Sequence, residues 1–198
     1  MISLLHSRGV FPRRKRILVE MLSKLLSSPA EVLDVGSGDG SIALAIQNRA
    51  KDLRFHCIDV LVRPDVALPV QKYDGVTFPV TDSSKDYVLF VDVLHHTPDP
   101  QILLNEAARV TRKYIVIKDH NANGLCSRAT LRFMDWVGNA RFGVSLPYNY
   151  WTHQQWQEGY KTAGLKVVSQ IDTLGLYPSW SNWLFGRRLH FIVLLEKI

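Results

Sequence analysis

The sequence predicts an α/β fold, a doubly wound and mainly parallel sheet with helices on both faces. Three observations predict it. Short apolar runs suited to buried strands alternate along the chain with segments of helical periodicity. The first of these runs, "EVLDV", leads straight into the turn "GSGDG" and then into a helical stretch. The 198 residues are 46% hydrophobic and carry no interdomain linker or internal repeat, which suits one domain around one core.

The elements follow in order. "RRKRILVEMLSKLL" has apolar residues at 17, 18, 21, 22, 25 and 26, a helical spacing that "SSP" ends. "EVLDV" is the first strand, "SIALAIQNRA" the helix after the glycine turn, and "LRFHCIDV" the second strand, ending at Asp59. Pro64 and Pro69 leave little room for a helix before a short third strand at "VQKY". "DYVLFVDVL" is the fourth strand. Asp99 and Pro100 then start the helix "QILLNEAARV" as N-cap and first-turn proline. "KYIVIKD" is the fifth strand, and a helix around "RATLRFMDWV" lies within residues 119–150. "THQQ" is a capping box of Thr152 and Gln155 that opens another helix. "GLKVVSQID" and "LHFIVLLEK" complete seven strands.

The formal net charge is +6, with basic residues grouped at Arg8, Arg13, Arg14, Lys15 and Arg16 and again at Arg187 and Arg188. Such runs hold anionic partners or, more commonly, form a solvated face. The two cysteines, Cys57 and Cys126, form no CxxC pair, so no zinc site or disulfide framework is expected. No apolar run is long enough to span a bilayer, and the start of the chain lacks the order of a signal peptide. A cytoplasmic location is the expectation.

In a doubly wound sheet the ligand sits beyond the carboxyl ends of the strands. The glycine turn there has Gly36, Gly38 and Gly40 in GxGxG spacing, with Ser41 after them and acids at Asp34 and Asp39. A dinucleotide pyrophosphate wants backbone N–H groups and no carboxylate nearby. S-adenosylmethionine reverses that requirement, because it carries a sulfonium and an ammonium and has no phosphate. Asp59 stands where an acid accepts from ribose hydroxyls.

Together "VLDVGSGDG", the acid ending "FHCIDV", "YDGVTFPVTDSSKDYVLFVDVLHHTPDP" and "LLNEAARVTRKYIVI" resemble the class I S-adenosylmethionine-dependent methyltransferases. The resemblance is to their small-molecule group, which includes the ubiquinone and menaquinone C-methyltransferases, and it runs from about residue 13 to the last strand. It implies a Rossmann-like fold with an antiparallel last strand and S-adenosylmethionine as cofactor. It also implies that Asp34, Gly36, Gly38 and Gly40 shape the methionine end of the pocket, that Asp59 holds the ribose, and that Val91 offers backbone beside the methionine. Asp74 occupies the place of the acid that accepts from the adenine amino group; as half of an Asp-Gly pair it is equally a turn residue. The family's frequent glycine pair before the fifth strand is replaced by "TRKY", an altered turn.

Several signatures are missing. No Asn/Asp-Pro-Pro-aromatic motif follows the fourth strand, and no paired cysteines or double-acid loop are present. The expected acceptor is therefore a small apolar or aromatic molecule, methylated on oxygen or carbon. Aromatic residues Phe133, Trp136, Phe142, Tyr148, Tyr150 and Trp151 are enough for a lid over it, with at least half of them packing instead. Residues 119–150 are read as an acceptor-covering insertion, with Tyr148 and Trp151 as substrate-binding residues. His96 after the fourth strand and His120 after the fifth are the candidate general bases. "DHN" at 119–121 resembles the metal site of catechol-type O-methyltransferases without the rest of that pattern, and no metal is expected. The alternatives are an RNA methyltransferase, a non-catalytic S-adenosylmethionine-binding module, and at most a peripheral membrane contact through "YPSWSNWLFGRR".

Overall fold

The computed structural model describes residues 11–139, 147–178, 182, 185, 186 and 188–198. Seven strands form one sheet in the order β3-β2-β1-β4-β5-β7-β6. They are β1 (Ala30–Val35), β2 (Leu53–Asp59), β3 (Val70–Lys72), β4 (Lys85–Val91), β5 (Thr111–His120), β6 (Leu165–Ile171) and β7 (His190–Lys197). The pairs from β3 through β5 are parallel, and β7 runs antiparallel to both β5 and β6. Strand order reverses direction between β1 and β4, which sets the crevice where ligands of such sheets bind.

Alternate residues of the same strands feed two cores. On one face Val32, Tyr87, Leu89, Val116 and Ile192 meet α1 (Phe11–Leu25) and α2 (Ser41–Gln47) through Leu18, Val19, Leu22 and Ile46. On the other, Leu33, Val35, Val88, Phe90, Ile115 and Ile117 meet α3 (Pro100–Val110) and α5 (His153–Thr162) through Leu103, Leu104, Trp156 and Tyr160. The remaining helix, α4 (Ser127–Asn139), packs Leu131 against Ala122, Tyr150 and Leu189, next to the ends of β5 and β7.

Local signals place the helices. Asp99 accepts the Gln101 N–H at 2.9 Å with Pro100 in the first turn of α3. Thr152 and Gln155 form the reciprocal capping box of α5. At the "TRKY" stretch, α3 runs into β5 directly, since Thr111 is both its C-cap and the first residue of the strand. Residues 60–69 form no helix or strand, and Val60, Leu61, Val62 and Val66 are exposed. Cys57 is buried in β2. Among the described residues, no helix is long and apolar enough to cross a membrane.

Leu22 is fully buried between α1 and the sheet. Leu22→Ala is expected to cost about 2–5 kcal/mol of unfolding free energy, from lost transfer energy and the cavity left behind. Urea unfolding followed by circular dichroism measures it.

Candidate active site

The glycine turn is built for close approach. Gly36, Gly38 and Gly40 have φ of 67°, 62° and 69°, a region that L side chains rarely occupy. A Cβ at Gly36 would stand 2.6 Å from a Val93 methyl, so the turn after β1 lies directly against the segment after β4. Asp59 closes the turn: its two carboxylate oxygens accept from the Gly38 N–H at 2.8 Å and the Leu61 N–H at 2.9 Å. Each oxygen has a further lone pair for a ribose hydroxyl. Asp34 is buried beneath, and burial, reinforced by Asp59, pushes its carboxyl up to about 8. Val91 ends β4, paired with Lys118. Asp74 takes the N–H groups of Val76 and Thr77 on one oxygen, at 2.8 and 2.7 Å, and is exposed. It forms the turn that its Asp-Gly sequence allows.

A second group of residues fills the carboxyl ends of β4 and β5. Asp92, the residue after β4, has φ 59°. Its carboxylate pairs with Arg14 from α1 and with the fully buried Lys118 of β5. Burial would raise the Asp92 pKa, but Arg14 and Lys118 outweigh it and hold the group ionised far below the usual carboxylate range. Burial in turn pushes Lys118 down to about 8, with Asp92 opposing the shift.

Next to this pair, Asp119 organises the short 3₁₀ turn Leu94–His96. It accepts the Leu94 N–H at 3.0 Å and the Nδ1 of His95 at 2.6 Å. Burial disfavours the charged imidazolium of His95, yet Asp119 and Asp135 raise it to about 10. Asp135 reaches in from α4, where the Tyr150 hydroxyl donates to it. The ring of His95 lies tilted against those of His96 and His120, at centroid distances of 4.0 and 4.4 Å.

His120 is the last residue of β5, paired with His190, and is 3% exposed. It therefore lies within the buried cluster, and the rim position implied by a residue following the strand does not apply. Burial, then the charges of His95 and Lys118, lower its pKa. Burial and His95 push His96 down to about 4. Both rings are neutral at pH 7, and their Nδ1 atoms are buried without a hydrogen-bond partner.

The aromatic residues divide. Tyr148 lies over Arg132 at 4.7 Å and near Tyr150. Tyr150 stacks on His95 with centroids 5.6 Å apart, held there by Asn149, whose N–H donates to His95 O at 3.2 Å. Trp151 packs on Trp156 and against Gly159, where a Cβ would stand 2.5 Å from its ring; its described contacts belong to the α5 core. Phe133 and Trp136 are exposed on α4. Phe142, Arg8 and Arg187 lie outside the described residues. A cavity of about 230 Å³, lined by Leu174, Tyr177, Asn182 and Gly186 among others, reaches the cluster at His190.

Sequence reasoning singled out His96 and His120 and missed Arg14, Asp92, Lys118, Asp135 and His190 as members of one cluster. The available signal was charge inside an apolar frame: "YIVIKDH" ends a buried strand on two charges, and Asp135 interrupts "RFMDWV" on the apolar side of a helix.

Gly36→Ala is expected to remove cofactor binding and destabilise the fold by about 1–3 kcal/mol, through the strain of its backbone conformation and the clash with Val93. Gly36→Ala/Val93→Ala recovers only the part due to the clash. Asp34 gives a second test. Its raised pKa means the folded state holds a proton that the unfolded state releases between about pH 4 and 8. Stability from this group is present in acid and falls as pH rises through that window, by an amount of the order of 5 kcal/mol. Asp34→Asn should flatten that slope in urea unfolding at pH 5 and pH 8.

A family model described as a methyltransferase domain matches residues 8–170. An uncharacterized methyltransferase of Mycobacterium sp. (strain KMS) is 36% identical over 92 residues, covering 41% of this chain and 34% of the relative. The chain thus aligns with about a third of that relative's length. The fold is shared with a SAM-dependent methyltransferase from Aquifex aeolicus (TM-score 0.66, 17% identity, covering 100% of this chain and 99% of the other). It is shared too with geranyl diphosphate C-methyltransferase from Streptomyces coelicolor A3(2) (TM-score 0.69, 12% identity, 93% and 79%). The chain belongs to the methyltransferase-domain family and has the class I fold of S-adenosylmethionine-dependent methyltransferases.

Proposed function

We propose that this protein moves the methyl group of S-adenosylmethionine to an oxygen or carbon of a small apolar or aromatic acceptor. The observation that carries this reading is the contact of the glycine turn with Val93, two residues before the His95–Asp119 pair. That contact sets a cofactor cradle and a buried polar cluster side by side. The three positive-φ glycines let Val93, Arg63 and Leu68 close on a turn whose backbone would meet the methionine end, and Asp59 keeps acceptor capacity for the ribose. The bound cofactor supplies an activated methyl carbon with a neutral thioether as leaving group.

The chain's own residues then have three tasks. The first is alignment, which is worth about 7–11 kcal/mol in favourable cases. The second is exclusion of water, served by Tyr150 stacked on His95 and tied there through Asn149. The third is removal of a proton from the acceptor. His120 offers a buried ring nitrogen without a partner, as a base requires; His96 offers one as well in the protein without a bound ion. Tyr148 lies at the edge of this group, beside Tyr150.

Part of the basic run near the start is engaged within the fold, which leaves fewer of its charges for a phosphate backbone. Arg14 is engaged with Asp92, and Arg13 donates to Gly175 O at 3.3 Å.

Labelled S-adenosylmethionine incubated with cell extract and the purified chain should yield one labelled small product, identified by mass. Label entering RNA alone would defeat the proposal. Asp59→Asn should weaken S-adenosylhomocysteine binding about 10–100-fold in calorimetry, since hydrogen bonds to a charged acceptor contribute about 1.5–3 kcal/mol. His120→Ala should slow transfer at least about 100-fold with cofactor affinity kept. Because His96 and His120 titrate below the ordinary histidine value, the wild-type rate should hold steady from pH 7 to 8 and fall only in more acid solution. A rate with its midpoint above pH 6.5 would remove both as the base.

A further inference from the structure

We infer that His95, His96 and Asp135 form a binding site for one divalent transition-metal ion at the acceptor end of the active site. One ligand atom from each lies within 4.8 Å of the others. The donor set is two imidazole nitrogens and one carboxylate oxygen. That set suits zinc, iron(II), cobalt or nickel rather than magnesium or calcium, which prefer oxygen alone.

Two independent observations support it. The first is unsatisfied polarity. His95 is 1% exposed, and its Nε2 is buried with no hydrogen-bond partner. It approaches Asp135 Oδ2 to 3.3 Å without hydrogen-bonding alignment. His96 Nδ1 is likewise buried and unpartnered. Buried nitrogens without a hydrogen-bond partner are rare in folded proteins, and these two stand within reach of the one carboxylate of Asp135.

The second observation is the arrangement behind these ligands. A metal-binding histidine almost always turns its other ring nitrogen to a carboxylate or carbonyl, which fixes the ring and its tautomer. Asp119 does this for His95 at 2.6 Å and is itself tied to the Leu94 N–H. Asp135 is held in the same way by the Tyr150 hydroxyl.

Arg14 and Lys118 pair with Asp92, and the other oxygen of Asp135 faces His120 Nε2 at 3.6 Å. Ligands on a tetrahedral ion with bonds of about 2.0–2.1 Å stand about 3.4 Å apart. The site therefore closes by roughly 1.4 Å at most, within reach of a ring rotation at the half-buried His96.

Three protein ligands leave a position for an oxygen of the acceptor. That use of the ion rests on the methyl-transfer reading, whereas occupancy of the site does not. No spacing pattern announces this site, because Asp135 comes from a helix about 40 residues beyond the histidine pair.

The test uses the full chain after treatment with a chelator, titrated with zinc by calorimetry and with cobalt(II) by visible absorption. The expected result is one ion per chain, with a Kd at or below about 10 μM and cobalt bands of four- or five-coordinate intensity. His96→Ala and Asp135→Asn should each weaken zinc binding at least 100-fold, and Asp119→Asn about 10–100-fold. Circular dichroism confirms that each variant is folded. His96 is half-buried, so His96→Ala keeps the test valid if Asp135→Asn unfolds. His153→Ala, at an exposed histidine, should bind as wild type. Failure of the wild type to bind zinc or cobalt stoichiometrically would overturn the inference, and so would equal affinity in folded His96→Ala. Neither outcome touches cofactor binding, which is measured separately with S-adenosylhomocysteine.

Discussion

The end of the sheet that carries the chemistry depends on the pairing of Asp92 with Arg14 and Lys118. A lysine with no exposed surface is costly to ionise unless a counter-charge meets it, and Asp92 supplies that charge. The same carboxylate holds Arg14 and so fastens α1 across the ends of β4 and β5. Asp92 adopts φ 59°, a conformation that persists when surrounding structure over-determines it. Two cations and the bond from its own N–H to Lys118 O at 2.8 Å do so here. Strain at this residue turns the chain away from β4 and directs Val93 to the glycine turn and His95 to Asp119.

From that turn the two halves of the site follow. Beyond β1 and β2 lies the glycine turn with the carboxylates of Asp39 and Asp59, beside which Arg63 and Leu68 pack at Gly38 and Gly40. Beyond β4 and β5 lies a dry group of imidazoles and carboxylates. Without a bound ion and with His95 protonated, Asp92, Asp119 and Asp135 balance Arg14, Lys118 and His95; an ion at His95 would take the place of that proton. With the proton in place the buried cluster is neutral as a whole, which is how so many ionisable groups can share one core. His96, His120 and His190 are spare neutral rings in that arrangement, each with burial as the largest cause of its lowered pKa.

Much of the fold was legible because it rests on short-range patterns. Apolar runs gave the strands, Asp99-Pro100 and Thr152…Gln155 gave helix starts, and the prolines at 64 and 69 marked a stretch without a helix. The glycine turn and Asp59 were legible for the same reason, since a strand, a turn and an acid fall within 30 residues. The polar cluster was not. Its members come from positions 14, 92, 95, 118 to 120, 135, 150 and 190, and only the closed sheet brings them together. Arg14 looked like one more solvated charge, and the acceptor contacts expected were Tyr148 and Trp151, whereas the aromatic stacked on His95 is Tyr150. On an irregular segment, no periodicity tells which of two adjacent aromatics turns inward.

The central claim is that cofactor cradle and polar cluster form one site, joined through Gly36 and Val93. A crystal structure of the full chain with S-adenosylhomocysteine tests it most directly. The account predicts the ribose hydroxyls on Asp59, the methionine end along Gly36–Gly40, and the sulfur turned toward His96 and His120. A ligand bound elsewhere, or one whose sulfur points away from the β4 and β5 ends, would contradict it.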